Sequence, residues 1–477
     1  MTVDTIQKLY EDAGQAHLFY HLNRLSPEER EEFMSNLASV ADNVSIESLF
    51  TKYQEALDQL NQSKNHPGDI RPLPAKSYES IIGKDNLRKK YASIGLKAIK
   101  NNEVAVILMA GGQGTRLGST KPKGCYDIGL PSHKSLFRIQ AEKLLTLQKL
   151  TGSGPIHWYI MTSKPTRQDT EAFFAKYNYF GLNREQIHFF NQGILPALDL
   201  EGKKLLLESP TSLVEAPNGN GGLYLAMRKN NILGDMKARG IKHVYAYCVD
   251  NVLSKIADPV FVGYAIAHDF ELATKVVRKR DAHEPVGLIA SKDNKPCVIE
   301  YSEISTELAE ARDDNDPTLL KLRAANIVNH YYSVGLLERE LDNWCEHLTW
   351  HLAKKKISYY DNVNDEFRKS EGNPTGIKLE HFIFDVFPLI PLDKFGCLEV
   401  DRKEEFSPLK NGLGSKTDNP ETSRQSYLKL GTEWLKRAGA LVDDGVLVEV
   451  SNTLSYGGEN LEQFKGVKFD QDGIILD

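Results

Sequence analysis

The sequence predicts an α/β chain in three parts: a helical N-terminal region over 1–100, a central α/β domain with a mostly parallel sheet over 101–395, and a small β-rich domain over 396–477. Three observations predict it. Short, continuously apolar runs alternate with helical segments from about residue 101 onward, the pattern of a parallel sheet covered on both faces. Before that point the apolar residues follow helical spacing. The last part repeats a turn that leads straight into a strand.

In the N-terminal region, Ser26-Pro27-Glu28-Glu29 reads as a capping box with proline at the first helical position, and Phe33, Leu37 and Val40 follow at helical spacing. His66-Pro67-Gly68-Asp69, with Pro72 and Pro74 beyond, reads as a linker over the surface. The central domain opens on the strand Val104 to Leu108; His157 to Met161 and His243 to Val249 are further strands, and Phe137, Ala141, Leu144 and Leu145 give one intervening helix an apolar face. Ligands of such sheets sit at the carboxyl ends of the strands. In the tail, Asp444-Gly445-Val446-Leu447-Val448 is echoed by Asp472-Gly473-Ile474-Ile475-Leu476. Two units fall short of the roughly three that a stacked array needs.

Composition narrows the partners. The 477 residues, 41% hydrophobic and 26% charged, describe a soluble chain with room for roughly two or three domains. With 59 Lys+Arg against 65 Asp+Glu the net charge is −6, so long-range attraction to nucleic acid or to an anionic membrane is not expected. Any anion must be recognised locally. No apolar stretch approaches the roughly 20 residues that cross a bilayer, and the start, MTVDTIQKLYEDAGQ, lacks the basic and apolar segments of a secretory signal; a cytoplasmic protein is expected. Cys125, Cys248, Cys297, Cys345 and Cys397 show no CxxC or metal-ligand spacing and are expected to be reduced thiols.

The first strand runs into MAGGQGTRLG, Met109 to Gly118. Gly111, Gly112 and Gly114 would let the backbone turn through positive φ and aim N–H groups at a polyphosphate. Arg116, Lys121 and Lys123 follow before Gly124 with no acid among them, which suits a triphosphate. A Walker A loop is absent, and Gly112, Gly114 and Gly118 give GxGxxxG rather than the dinucleotide GxGxxG. Alone, the loop also fits a glycine-rich turn with solvated basic residues.

It does not stand alone. Leu108 to Gly118, continuing through Lys121-Pro122-Lys123-Gly124, resembles the signature of sugar-nucleotide pyrophosphorylases, and PKGCYDIGLPS sharpens this toward the eukaryotic-type UDP-N-acetylglucosamine pyrophosphorylases. The resemblance continues through FFNQGILPA, NGNGGLY, YCVDNVL, VIEYSEI, NIVNHYY, GIKLEHFIFD and EFSPLKN, in order and over essentially the whole chain. It implies a Rossmann-like nucleotidyltransferase domain. It also implies a reaction in which a phosphate oxygen of N-acetylglucosamine 1-phosphate attacks the α-phosphorus of UTP, giving UDP-N-acetylglucosamine and pyrophosphate. No protein nucleophile is needed; alignment and cations around the transferring group would supply catalysis.

By motif position the resemblance implies that Lys123 meets the α-phosphate, Arg116 the β- and γ-phosphates, and that the backbone of Met109, Ala110, Gly111 and Gly112 cups the nucleotide. Gln192 and Gly219 would read uracil. Asn220, Gly287, Glu300, Tyr301 and Asn326 would take the sugar, with Phe382 and Phe384 walling its N-acetyl group; read alone, those two phenylalanines fit one face of a core strand. Lys378 and Lys410 would contact phosphates, Lys410 from beyond residue 396 on an element that closes as a lid. Asp250 ends the strand His243 to Val249, where a carboxylate suits Mg²⁺ (or Mn²⁺) better than core packing, although it also fits a cap on the next turn. Asn251 follows it, so a single metal assisted by lysines is expected.

Asn218, Leu225 and Ala325 depart from the pattern of the resembled family, at positions that bear on sugar preference. The rival readings are a UDP-glucose or broad UDP-sugar pyrophosphorylase, and a catalytically silent UDP-sugar-binding regulator. The joint presence of Arg116, Lys123, Asp250, Lys378 and Lys410 argues against the regulator.

Overall fold

Continuous burial of both faces selects the strands. Val104–Met109 and Trp158–Thr162 are buried at every position, as β-branched and aromatic runs between two helical layers should be. The computed structural model of the protein describes residues 3–65 and 68–477; His66 and Pro67, part of the expected linker, lie outside the described residues. Among these residues eight strands form the spine of one sheet: β1 (Tyr78–Ser80), β2 (Val104–Met109), β3 (Trp158–Thr162), β4 (Ile187–Asn191), β5 (His243–Cys248), β6 (Leu272–Arg278), β7 (Ala324–Ser333) and β8 (Phe395–Glu399), in the order β1-β8-β6-β7-β5-β2-β3-β4. Neighbours run parallel except β7, which is antiparallel to both β6 and β5. The expected mostly parallel sheet is therefore present. The hairpin Leu288–Lys292 with Lys295–Ile299 joins β7 through the pair Leu288 and Ala325.

Packing divides the chain differently from the ranges 1–100, 101–395 and 396–477. One compact unit takes in residues 3–65, Gln192–Ala226 and Trp344–Asp385, the other Gly68–Asn191, Met227–Asn343 and Val386–Asp477. The helix Asp85–Lys100 and the strand β8, which spans 395 and 396, belong to the second unit with the sheet.

In the first unit the helices Val3–Asp12, Pro27–Asn43 and Ile46–Asn65 share one core with Leu195, Leu205, Leu207 and Ile377. Ser26 and Glu29 form the expected capping box, and Phe33, Leu37 and Val40 are buried.

In the second unit the helix Leu136–Thr151, N-capped by Ser135, buries Phe137, Ala141 and Leu144 completely. The helices Asp85–Lys100 and Pro259–Ala267 touch through their backbones: a Cβ on Gly95 would stand 1.9 Å from the Pro259 carbonyl oxygen, and one on Gly263 1.8 Å from that of Tyr91. The tail carries short strands, Glu449–Val450 pairing in parallel with Ile475–Leu476 and Leu441–Val442 with Lys468–Phe469. The first echoed segment forms no strand itself at 446–448; the two residues after it pair with the end of the second segment, and Leu447 N donates to Asp472 Oδ1 at 2.7 Å. Ahead of them runs the helix Pro420–Arg437, capped by Asn419, which the periodicity did not single out.

A buried charge cluster ties sheet, helices and tail together. Lys275 of β6, with no exposed side-chain surface, lies 2.5 Å from both Asp258 and Glu405. Glu404 meets Arg88 at 3.0 Å, Arg437 at 3.1 Å and Lys255 at 3.3 Å.

Two stability predictions follow from this packing. Gly95→Ala forces a methyl onto a carbonyl that cannot swing away, and should lower stability by about 3 kcal/mol in urea unfolding. Burial would raise the Glu404 carboxyl, but Lys255, Arg88 and Arg437 outweigh it and hold the pKa at about 2. A folded-state pKa held low contributes stability that is present at neutral pH and is lost as pH falls toward 2. Glu404→Gln should therefore unfold earlier than the wild type at pH 7, with the two urea midpoints converging in acid.

Candidate active site

The glycine-rich segment leaves the end of β2 and is tied down by neighbouring strand ends. Ala110 N donates to Met161 O at 2.8 Å, Val249 N to Met109 O at 3.2 Å, and the hydroxyl of Ser163 to Gly111 O at 2.7 Å. Lys123 N then donates to Gly112 O at 3.2 Å, and Gly114 N to Lys121 O at 3.0 Å, closing the loop on itself. The glycines serve different ends. The positive φ expected earlier in the loop falls at Gly118 (+74°), while Gly114 stays at −81°. A Cβ on Gly124 would lie 2.2 Å from the Phe137 ring, whereas one on Gly112 would meet no described atom within 4 Å. Packing against the described residues therefore does not require glycine at 112.

Three charged side chains gather at the end of β5. Lys123 Nζ donates to Leu409 O at 3.1 Å and lies 3.9 Å from Asp250 Oδ2. Leu409 N in turn donates to Asp250 O at 2.8 Å, so the residue before Lys410 is bonded to both. The Cys248 thiol is pushed up by burial and by Asp250 and drawn back by Lys123 and Lys410, which puts all three charges around this strand end. Arg116 is exposed on the turn Thr115–Leu117, and its carbonyl oxygen lies 2.7 Å from where a Cβ on Gly412 would be. The segment that carries Lys410 is docked on this strand end, with Leu409 fully buried.

The Asp250 side chain is 22% exposed, with Lys123 its cationic neighbour. Among the described residues no group of three or more His, Cys, Asp or Glu side chains could hold a metal. One accessible carboxylate fits a hard cation that takes its other ligands from phosphate oxygens and water, and does not fit a closed structural site.

Gly287, Glu300 and Asn326 also lie together in the second unit. Asn326 N donates to Gly287 O at 2.9 Å, and a Cβ on Gly287 would lie 3.4 Å from Glu300 Oε1. Between Asn326 and Asn329 the register of β7 against β6 shifts, leaving Ile327 and Val328 as extra residues. Val328 takes φ +55°, a costly value for a β-branched residue, and its N–H donates to Asn326 Oδ1 at 2.9 Å. Tyr301, next to Glu300, is 56% exposed.

The first unit holds Gln192, Gly219, Asn220, Lys378, Phe382 and Phe384. Gly219 has φ +84°, and a Cβ there would lie 2.3 Å from His381 O. Asn220 Oδ1 accepts from Ile383 N at 3.0 Å, and His381 N donates to Asn218 O at 2.8 Å, so the NGNGG and HFIF segments are laced together. Gln192 precedes Gly193, whose carbonyl accepts from Asn218 N at 3.1 Å. Phe382-Ile383-Phe384 is not a strand: a 3₁₀ turn over Ile383–Leu389 buries Ile383 and leaves both phenylalanines half-exposed, their rings stacked 5.1 Å apart. Burial lowers the Lys378 ammonium below its ordinary range, opposed by Glu380 and assisted by Lys355.

Several supporting residues were not singled out from sequence. Ser163 opens a helix as Ser-Lys-Pro-Thr, a legible capping signal, but its bond to Gly111 is not. His351 stacks on Phe382 at 4.3 Å and bonds Asp385, which accepts from Phe382 N at 2.8 Å. Lys143, pushed down to about 7 by burial, donates to Val252 O and Ser254 O at 2.9 and 2.8 Å and holds the loop after Asp250.

Residues 46–414 match the model of a family described as UTP–glucose-1-phosphate uridylyltransferase. The chain is 62% identical over 475 residues, 99% of each chain, to the UDP-N-acetylglucosamine pyrophosphorylase of Saccharomyces cerevisiae. It is 39% identical to UDP-N-acetylglucosamine diphosphorylase 2 of Arabidopsis thaliana, over 94% of this chain and 89% of that one. Among solved structures, the uridine diphosphate N-acetylglucosamine pyrophosphorylase of Trypanosoma brucei superposes with a TM-score of 0.82 at 28% identity, covering 99% of both chains.

Proposed function

The chain belongs to the UTP–glucose-1-phosphate uridylyltransferase family, and from that membership we infer the reaction and the residues that perform it. The protein is a uridylyltransferase that joins UTP and N-acetylglucosamine 1-phosphate to give UDP-N-acetylglucosamine and pyrophosphate. The observation that carries the assignment of roles is the convergence of Lys123, Asp250 and the Lys410 segment on one strand end.

The barrier to this transfer is an anion approaching an anion. Lys123 lies against the α-phosphate and Arg116 against the β- and γ-phosphates, with Lys410 and Lys378 adding positive charge, so that repulsion falls most where charge develops in the transition state. The bare face at Gly112 gives the nucleotide close approach to the Met109 to Gly112 backbone. Gln192 and Gly219 bind uracil. Asn220, Gly287, Glu300, Tyr301 and Asn326 bind the sugar, and the stacked Phe382 and Phe384 present an apolar wall that favours an N-acetyl methyl. Asp250 would hold Mg²⁺ (or Mn²⁺), which when bound neutralises phosphate charge and orients the triphosphate. A cytoplasmic setting completes the reading. It is supported by free cysteines, which suit a reducing compartment, and no described helix is long and apolar enough to cross a membrane.

Lys123→Ala and Asp250→Ala should each lower kcat by at least about 100-fold while thermal unfolding stays cooperative; wild-type turnover in either removes that residue from the mechanism. Initial rates with UTP and glucose 1-phosphate, N-acetylglucosamine 1-phosphate or N-acetylgalactosamine 1-phosphate, with and without Mg²⁺, test the rest. Glucose 1-phosphate should lag by about tenfold or more, and turnover should vanish without the metal. Equal rates with all three sugars would defeat the N-acetyl wall.

A further inference from the structure

Asp250 and Lys410 come from distant parts of the chain, and the structure shows what fixes the spacing between them. The side chain of Asn251, 2% exposed, is used at both ends. Its Nδ2 donates to Glu405 O at 2.7 Å, and its Oδ1 accepts from Ser407 N at 2.9 Å and from Leu253 N at 3.3 Å. Its backbone forms an antiparallel bridge with Pro408. One residue on, Leu409 N reaches Asp250 O. Lys410 N and Asn411 N both donate to Asp418 O at 2.8 Å, which closes the loop on its far side.

The bracket rests on an anchored base. Glu405 is 3% exposed at its side chain and lies against Lys275 at 2.5 Å and Lys255 at 3.5 Å. A carboxamide is the group that offers a donor and an acceptor from one short planar end; aspartate loses the donor, leucine loses both, and glutamine is a methylene too long.

We propose that Asn251 is a positioning residue, which sets the place of Lys410 against Asp250 and Lys123 without touching substrate. The proposal rests on the role given above to Lys410. A change here displaces the ammonium from the transferring phosphate, and a shift of about 1 Å is enough to cost about 100-fold in rate.

A double-mutant cycle tests it in the full-length enzyme, with kcat and KM for UTP measured for wild type, Asn251→Asp, Lys410→Ala and the pair. Asn251→Asp should lower kcat by about 10- to 100-fold and change KM for UTP less, with cooperative unfolding kept. In the Lys410→Ala background the same change should cost less than about threefold, because the group it positions is gone. Equal losses in both backgrounds, or wild-type kcat in Asn251→Asp, overturn the positioning role and leave the reaction assignment standing. Wild-type turnover in Lys410→Ala overturns both this proposal and the role of Lys410. Should Asn251→Asp fail to fold, Asn251→Ser enters the same cycle and is read by the same criteria.

Discussion

A lysine without exposed surface holds two carboxylates at the centre of the second unit, and the site there depends on it. Burial disfavours the charge on Lys275, yet Asp258 and Glu405 keep it protonated. Such a triad gains little net stability over an apolar core, but removing one partner strands a buried charge at a cost of about 3 to 5 kcal/mol. Its effect is geometric. Asp258 opens the helix Pro259–Ala267 and Glu405 stands five residues before Lys410, so one ammonium fastens a sheet strand, a covering helix and the segment that carries a candidate catalytic cation.

The candidate residues are held in place in two different ways. Of the residues proposed for the phosphates, Met109 to Gly112, Arg116, Lys123, Asp250 and Lys410 belong to the second unit, where parallel strands end together, as do Gly287, Glu300, Tyr301 and Asn326, proposed for the sugar, while Lys378 belongs to the first. The first unit holds Gln192, Gly219, Asn220 and the aromatic pair on a glycine-rich and an aromatic segment joined by backbone bonds and by the Asn220 side chain rather than by a strand end.

What was legible in the sequence was whatever repeats over several residues. Fully buried strands such as Val104–Met109 announce themselves, because a run with no polar alternation has one use in a soluble α/β chain. The capping box at Ser26 was legible because its two bonds are local. The antiparallel course of β7, its bulge at Val328 and the docking of Leu409 on Asp250 depend on partners far away in the chain, and no local pattern encodes them. Asn251 was visible only as a missing carboxylate; that its amide grips residues 405 and 407 needed the fold. The glycine loop follows its strand as expected, yet the positive φ expected at Gly111, Gly112 and Gly114 falls at Gly118 instead.

The contact between Gly95 and Gly263 has a mechanical side. Helices that meet through side chains leave small voids between rotamers, and hydrostatic pressure unfolds proteins by eliminating such voids. Here main chain lies directly on main chain, and one of the two helices is the one that Asp258 begins. Compression would find almost no free volume to remove at this joint, so water would be forced into the rest of the second unit before it parted these two helices.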